Sequence, residues 1–283
     1  MIREVQAVGI IAGLDIGGST TKIVAIRDRK IISRELVVAT DPITSAYGAV
    51  GKLLNDNRLP LTAIDRILVT GVGASHIQDG LFGIPTRAVP EFDAVGLGGL
   101  FLSGLDKAII VSIGTGTAIV LADVHAVRHI IGSGVGGGTL IGLSNAILNV
   151  RDFATIVEMA EKGDLGHIDL SICDLTAAVI PGLSPETTAS NFGKMTDNAA
   201  REDIALGIIN MVFQAIGTIS VLSARLCDVG DIVCTGSLTQ VHQGNNVLRS
   251  MSDLYGVRFH IPDGAEFATA LGAALHPAEV PNP

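Results

Sequence analysis

Leu14-Asp15-Ile16-Gly17-Gly18-Ser19-Thr20 decides the fold, together with its echo further along the chain, Val111-Ser112-Ile113-Gly114-Thr115-Gly116-Thr117. Each runs from an apolar strand into a glycine-rich turn and on into a second apolar strand, at 22–26 in one case and 118–122 in the other. Short apolar runs joined by small turn residues mark a β-hairpin. A hairpin that recurs implies two similar halves, and paired halves usually hold their ligand in the cleft between them. The joint is expected near Gly104 to Lys107, giving domains 1–104 and 105–283.

Outward from the first hairpin, strands are expected at 10–16, 21–27 and 31–40, the last two joined by the charged turn Asp28-Arg29-Lys30. A helix at 45–55, a strand at 66–70 ending in Gly71-Val72-Gly73, another helix, a strand near 86–89 and a helix at 92–102 complete the first half. The second half continues with a glycine run at 132–138, helices within 139–162 and an irregular stretch to about 198. A long helix at 204–224, a strand at 232–235, a helix at 245–255, a strand at 258–261 and a final helix at 266–275 follow. Strands alternating with helices argue for layered α/β domains.

Composition narrows the function. A chain of 283 residues can bury a large core, and 48% apolar residues exclude disorder. Glycine supplies 34 of 283 residues, about 12% against a usual 7% or so. With no three-residue period, the excess belongs in tight turns and where backbone meets a ligand. The net charge is −9 with no basic block, which excludes a nucleic-acid binder standing on phosphates. Cys173, Cys227 and Cys234 form no CxxC pair, so reduced thiols in a cytoplasmic protein are expected. Residues 1–9 carry no signal-peptide cleavage pattern. The uncharged stretch 204–224 is long enough to span a bilayer. It nevertheless holds Asn210, Gln214, Thr218, Ser220 and Ser223, so a buried or subunit-interface helix is the better reading.

The turns carry the chemistry. Gly17 and Gly18 let backbone N–H groups face an anion, and Ser19, Thr20 and Thr21 add hydroxyl donors. Asp15, at the strand end, is placed to hold Mg²⁺ directly or through water, while Lys22 brings positive charge. One such hairpin fits a plain tight turn as well; the echo in Gly114, Thr115, Gly116 and Thr117 favours phosphate binding. No Gly-x₄-Gly-Lys-Ser/Thr string is present, and Gly132-Ser133-Gly134-Val135-Gly136 lacks the setting of a dinucleotide fingerprint. Gly136, Gly137 and Gly138 stand where a helix begins, a place suited to an approaching anion. In Ile232-Val233-Cys234-Thr235-Gly236-Ser237-Leu238 a strand again meets a small-residue turn. Gly236 and Ser237 either let a base or ribose lie on the backbone or simply close a buried strand. The histidines His76, His125, His167, His242, His260 and His276 show no metal-ligand spacing.

Together these pieces resemble the two-domain ATPase superfamily of sugar kinases, actin and Hsp70-type chaperones. Residues 15–20 look like its first phosphate motif, 113–117 its second and 232–238 its adenosine motif. Within that group the chain is similar over nearly its whole length to type II pantothenate kinases. The likeness is closest in 13–26, Pro90-Glu91-Phe92-Asp93-Ala94, 111–117, 132–143, Thr188-Ala189-Ser190-Asn191-Phe192-Gly193 and 264–275. The resemblance implies two ribonuclease H-like α/β domains with an ATP cleft between them. It also implies ATP- and Mg²⁺-dependent phosphorylation of the pantothenate hydroxyl, the first step toward coenzyme A, by a homodimer built through the second domain and its long helix. Glu91 then occupies the general-base position, and such a base is worth roughly 10²–10⁴ in rate. The plainer alternative is that Glu91 caps its helix electrostatically. Asp93 would point elsewhere if the helix begins here.

Two departures stand out. Where the resemblance implies an arginine touching the acceptor and the transferring phosphate, this chain has His129, with Arg128 one place early; where it implies a hydroxyl residue, the chain has Ala118. Arginine offers a permanent charge and a planar fork that histidine lacks at neutral pH, and phosphoryl transfer depends on such charge. Either Arg128 or His129 serves, or the acceptor is a pantetheine-like alcohol, or the chain is an ATP-binding regulator. An activator ATPase of acyl-CoA dehydratases shares the style of Gly18-Ser19-Thr20-Thr21-Lys22. It holds an iron–sulfur cluster through cysteines after glycine-rich turns, whereas no cysteine here precedes Cys173. A sugar kinase would use an aspartate in a Gly-Asp turn, but Gly163-Asp164 and Gly230-Asp231 read as surface turns.

Overall fold

In the computed structural model, which describes residues 9–38, 41–77 and 80–277, the first hairpin pairs β1 (Ile10–Ile16) with β2 (Thr21–Arg27). Its antiparallel register sets Asp15 opposite Lys22 and Ile16 opposite Thr21. β3 (Lys30–Val37) adds on antiparallel; the end of the expected strand, at 39–40, lies outside the described residues. α1 (Pro42–Asp56) starts earlier than its apolar spacing suggests, because the Asp41 carboxylate accepts from Thr44 N and Pro42 takes the first helical position. Its stripe Ala46, Ala49, Val50 and Leu53 packs into one core with Leu14, Ile16, Ile23 and Ile67. β4 (Ile64–Thr70) runs parallel to β1, and β5 (Thr86–Ala88) parallel to β4. Among the described residues, the stretch where a helix is expected after Gly73 begins with a 3₁₀ turn over Val72–His76. α2 (Glu91–Ser103) ends on Gly104 in the left-handed conformation.

The chain continues with β6 (Lys107–Ile113), β7 (Thr117–Asp123), β8 (Val127–Ser133), α3 (Gly137–Leu148) and α4 (Phe153–Ala160). The stretch expected to be irregular contains β9 (Leu170–Ser171), the short α5 (Ile172–Leu175) and β10 (Thr188–Ser190), with β9 and β10 paired as a small ribbon. Then come α6 (Arg201–Leu226), β11 (Asp231–Thr235), α7 (His242–Tyr255), β12 (Arg258–His260) and α8 (Ala268–Leu275). The two large sheets have the orders β3-β2-β1-β4-β5 and β12-β11-β6-β7-β8. Taken from its other edge, the second is a hairpin with a third strand outside it and two later strands on the far side, as in the first. The repeat seen in the hairpins thus extends through both sheets.

By their contacts the described residues fall into two units: those of Met1–Ile110, Val120–His129 and Pro262–Pro283, and those of Val111–Ile119 and Ile130–Ile261. This differs from the expected division into 1–104 and 105–283, and α8 is the main cause. A Cβ on Gly13 of β1 would lie 2.0 Å from the Ala270 carbonyl oxygen. One on Gly98 of α2 would lie 1.8 Å from that of Ala268, and one on Gly272 of α8 1.8 Å from that of Ala94. Backbone touches backbone, so α8 is locked to β1 and α2 although it lies at the other end of the sequence.

In the second unit α6 is long and apolar enough to cross a membrane, yet 67% of its most apolar stretch is buried inside the protein. Its polar groups are satisfied locally. Ser220 and Ser223 donate to the carbonyls of Ile216 and Ile219, and the buried Asn210 donates to Asp169 at 2.6 Å.

Candidate active site

In the first unit, Gly17 N donates to Thr20 O at 3.0 Å and closes the turn, leaving Gly18 and Ser19 exposed at its tip. A methyl group on Gly18 would meet nothing within 4 Å, so internal packing does not require glycine there. Asp15 lies just below, half-buried. Its Oδ1 would be 2.7 Å from a Cβ on Gly71, whose φ of 85° and ψ of 171° are open essentially to glycine alone. Burial pushes the Asp15 carboxyl up from 3.8 to about 6; the buried Lys22 beside it opposes the shift, and Glu91 adds to it. The Glu91 charge therefore reaches Asp15 below this turn. The Thr21 hydroxyl, expected to face a ligand, instead shares a 2.8 Å hydrogen bond with Ser45 on α1.

Glu91 is the first residue of α2 and is exposed, so the positive end of the helix favours its charge. Asp93 points elsewhere, as a helix start at Glu91 demands, with its Oδ2 3.8 Å from His276 Nε2. The face α2 turns to β8 settles the register of Arg128 and His129. A Cβ on Gly96 would lie 2.5 Å from Val127. One helical turn back, the Phe92 ring stacks on the His129 imidazole with centroids 4.2 Å apart and planes 12° from parallel. Phe92 and Gly96 are i,i+4 neighbours on the helix, while Val127 and His129 share one face of the strand. His129 thus sits beside the start of α2, and strand alternation sends the exposed Arg128 to the other face.

In the second unit the corresponding turn is built differently. Gly114 N donates to Gly116 O at 2.9 Å, Gly137 N to Gly114 O at 2.8 Å and Gly138 N to Thr115 O at 2.9 Å. Thr117 Oγ1 donates to Val135 O at 2.8 Å, and a Cβ on Gly136 would lie 2.6 Å from Thr115 O. Gly136, Gly137 and Gly138 therefore brace the turn. The amides of Gly137 and Gly138, expected to meet an anion, are committed to carbonyls of Gly114 and Thr115. Beyond β11, Gly236 has φ 92° and ψ 175°, and a Cβ there would lie 2.5 Å from Ile113 O. Ser237 opens the 3₁₀ turn that follows. This repeats Gly71 against the end of β1, a counterpart that the sequence reading passed over. The shared Thr-Gly at 70–71 and 235–236 was its only signal.

Among the described residues no three His, Cys, Asp or Glu side chains cluster to hold a metal. Asp15 fits Mg²⁺ as a single carboxylate below an open turn, the arrangement of an ion carried in on phosphate oxygens and water. A cavity of about 860 Å³ in the second unit is lined by Thr188, Asn210, Gln214, Gln243 and Tyr255 among others, and by none of the residues expected to hold ATP, Mg²⁺ or the acceptor.

The family model Fumble matches residues 107–258, more than half of the chain. The chain belongs to the Fumble family. A type II pantothenate kinase of Staphylococcus aureus strain USA300 is 29% identical over 277 residues, covering 92% of this Fumble protein and 97% of its relative. Among solved structures, component A of the (R)-2-hydroxyglutaryl-CoA dehydratase of Acidaminococcus fermentans superposes with a TM-score of 0.70 at 18% identity, covering 94% and 96% of the two chains. A ROK family glucokinase from Streptomyces griseus, in complex with glucose and AMPPNP, gives 0.62 at 13%, covering 94% and 98%. These likenesses are of fold, and the fold is the two-domain one of the actin-like ATPases and ROK sugar kinases, as expected. Cys173 is exposed, Cys227 half-buried and Cys234 buried in β11, where burial pushes its thiol up to about 12, away from the thiolate a metal needs.

Proposed function

We propose that this Fumble protein is an ATP-dependent kinase that phosphorylates the hydroxyl of pantothenate, the first step toward coenzyme A, with Glu91 as general base. The observation that carries the reading is Glu91 at the exposed start of α2, close enough to the open Gly17–Thr20 turn for its charge to be felt at Asp15. In the reaction the acceptor oxygen bonds to the γ-phosphorus, the bond from that phosphorus to the β,γ-bridging oxygen breaks, the hydroxyl proton passes to Glu91, and ADP leaves. Gly17, Gly18, Ser19 and Thr20 present donors to phosphate oxygens, as do the turn residues Gly114, Thr115, Gly116 and Thr117. Gly236 and Ser237 carry the adenosine, and Lys22 offsets negative charge below the first turn. Mg²⁺, held by Asp15 directly or through water, would supply charge neutralisation on the phosphates.

His129 stands at the acceptor end on the face shared with Phe92, and Arg128 does not. That orientation keeps open a second reading, in which the acceptor is a pantetheine-like alcohol without a carboxylate and has less need of a guanidinium. The protein would act in the cytoplasm as a homodimer through the second unit. Leu222 and Leu226, exposed one turn apart on α6, and the cavity beside that helix support this assembly.

The test is ADP release from Mg·ATP with pantothenate, pantetheine and N-acetylglucosamine offered separately, to the wild type and to Glu91→Gln. Turnover with pantothenate that falls roughly 10²–10⁴-fold in the variant is expected. Turnover with pantetheine alone moves the assignment to the second reading. ATP binding without phosphorylation of any acceptor removes the kinase in favour of a regulator.

A further inference from the structure

We propose that Phe92 is a positioning residue for the acceptor step: its ring holds the His129 imidazole beside Glu91, so that base and imidazole reach the acceptor as one preset pair. The inference rests on the kinase reading above. Three observations carry it. The two rings lie nearly parallel with centroids 4.2 Å apart. Phe92 is the chain neighbour of Glu91 in the first turn of α2, and Gly96 one turn on lets the helix press against Val127, which fixes the distance between helix and strand. Phe92 remains 41% exposed, far from the packing of a core aromatic.

The physical case is one of alignment. His129 sits exposed on β8 and, without a partner, would sample several rotamers. A stacked ring removes that freedom before the acceptor arrives, which matters because small errors in the placement of a reacting group are costly in rate. The imidazole edge stays free to hydrogen-bond with the acceptor or the transferring phosphate while its face is occupied by Phe92. A nitrogen at this place can donate or accept, so the pair suits an acceptor carrying a neutral polar group as well as one carrying a carboxylate.

Phe92→Leu keeps apolar bulk and loses the stack, whereas Phe92→Tyr keeps it. In Phe92→Leu the kcat/KM for the acceptor is expected to fall roughly two- to tenfold, the usual strength of an aromatic pair, with the KM for ATP unchanged; Phe92→Tyr should restore it. In a His129→Ala background Phe92→Leu should have no further effect, because Phe92 acts through the imidazole. An unchanged acceptor kcat/KM in Phe92→Leu, or losses that multiply in the double variant, would overturn the proposal. Proton NMR of the His129 ring gives a readout independent of turnover: a ring-current shift present in the wild type and Phe92→Tyr and lost in Phe92→Leu. Its absence from the wild type removes the stack and leaves the kinase reading intact. A wild type that shows the shift but phosphorylates no acceptor sinks the kinase reading and the acceptor role of Phe92 together.

Discussion

The two glycine-rich turns share a strand arrangement and differ in what their glycines are for. At the first turn a methyl group on Gly18 would meet nothing, and the acid beneath it has its pKa raised by burial. At the second, Ser112 stands where the first has Asp15, and the glycines of 136–138 are packed against the turn, with Gly137 and Gly138 hydrogen-bonded to it. One turn is open above a titratable acid; the other is braced and has a serine in that place. A repeated framework thus carries a buried acid under one turn and glycines packed against the other. What the halves keep in common is the glycine-only corner, Gly71 against β1 and Gly236 against β6.

That shared corner yields the largest expected effects. Gly71→Val and Gly236→Val each force a branched side chain into a backbone region that costs about 1–3 kcal/mol on dihedral grounds. Each also drives a Cβ into backbone or carboxylate at 2.7 and 2.5 Å. Urea unfolding should show both variants strongly destabilised; a variant as stable as the wild type would break the equivalence of the corners. Next comes the brace. Gly136 has an extended backbone that any residue adopts, so Gly136→Ala tests only its close approach to the turn, 2.6 Å from Thr115 O and 2.8 Å from Gly116 Cα. Overpacking of this kind costs about 1–3 kcal/mol, and the KM for ATP should rise with it if the cradle holds nucleotide.

How much of this was legible in the sequence depends on the range of the interaction. The strands 10–16 and 21–27 appear where their apolar runs and the glycine turn place them, because a hairpin is a local object whose register its own turn sets. Helix starts were missed by a few residues where a cap, such as Asp41, decides them rather than apolar spacing. The last helix was placed in the chain but assigned to the wrong part of it. Its contacts with Gly13 and Gly98 are between backbones, and backbone contact leaves no side-chain pattern to read. For the same reason the glycines of 136–138 read as a helix start suited to an approaching anion, although the amides of Gly137 and Gly138 are already bonded. Glu91 is singled out by resemblance alone, whereas the face of His129 needs the partner helix. Strand alternation separates His129 from Arg128 but does not say which of them looks at α2.

Asp15 sharpens the contrast by titration. Its carboxyl titrates near 6 in the folded protein against 3.8 ordinarily, so between those values the folded state binds the proton more tightly than the unfolded one. The stability this group contributes is complete below about pH 4 and is lost as pH rises through about 6. Thermal unfolding of the ligand-free wild type should therefore lose stability over this window relative to Asp15→Asn, which carries no such charge. Ser112 does not titrate and gives the second turn no matching slope. Identical pH profiles for the wild type and Asp15→Asn would mean that the carboxylate is solvated in solution.

The smallest effect on stability is the most informative about function. Gly18→Ala adds a methyl group where the protein offers no atom within 4 Å, at a residue that is not among those of positive φ. Unfolding should shift by no more than about 0.5 kcal/mol, as for other surface substitutions clear of special features. If phosphate oxygens are to approach that backbone, the same methyl group occupies their place, and the KM for ATP should rise several-fold while the fold stays intact. The pairing with Gly136→Ala then separates two reasons for a glycine: one variant loses stability and affinity together, the other affinity alone. An unchanged KM in Gly18→Ala would show that the open space above the turn is not where the nucleotide lies, and the division of labour between the two turns would have to be redrawn.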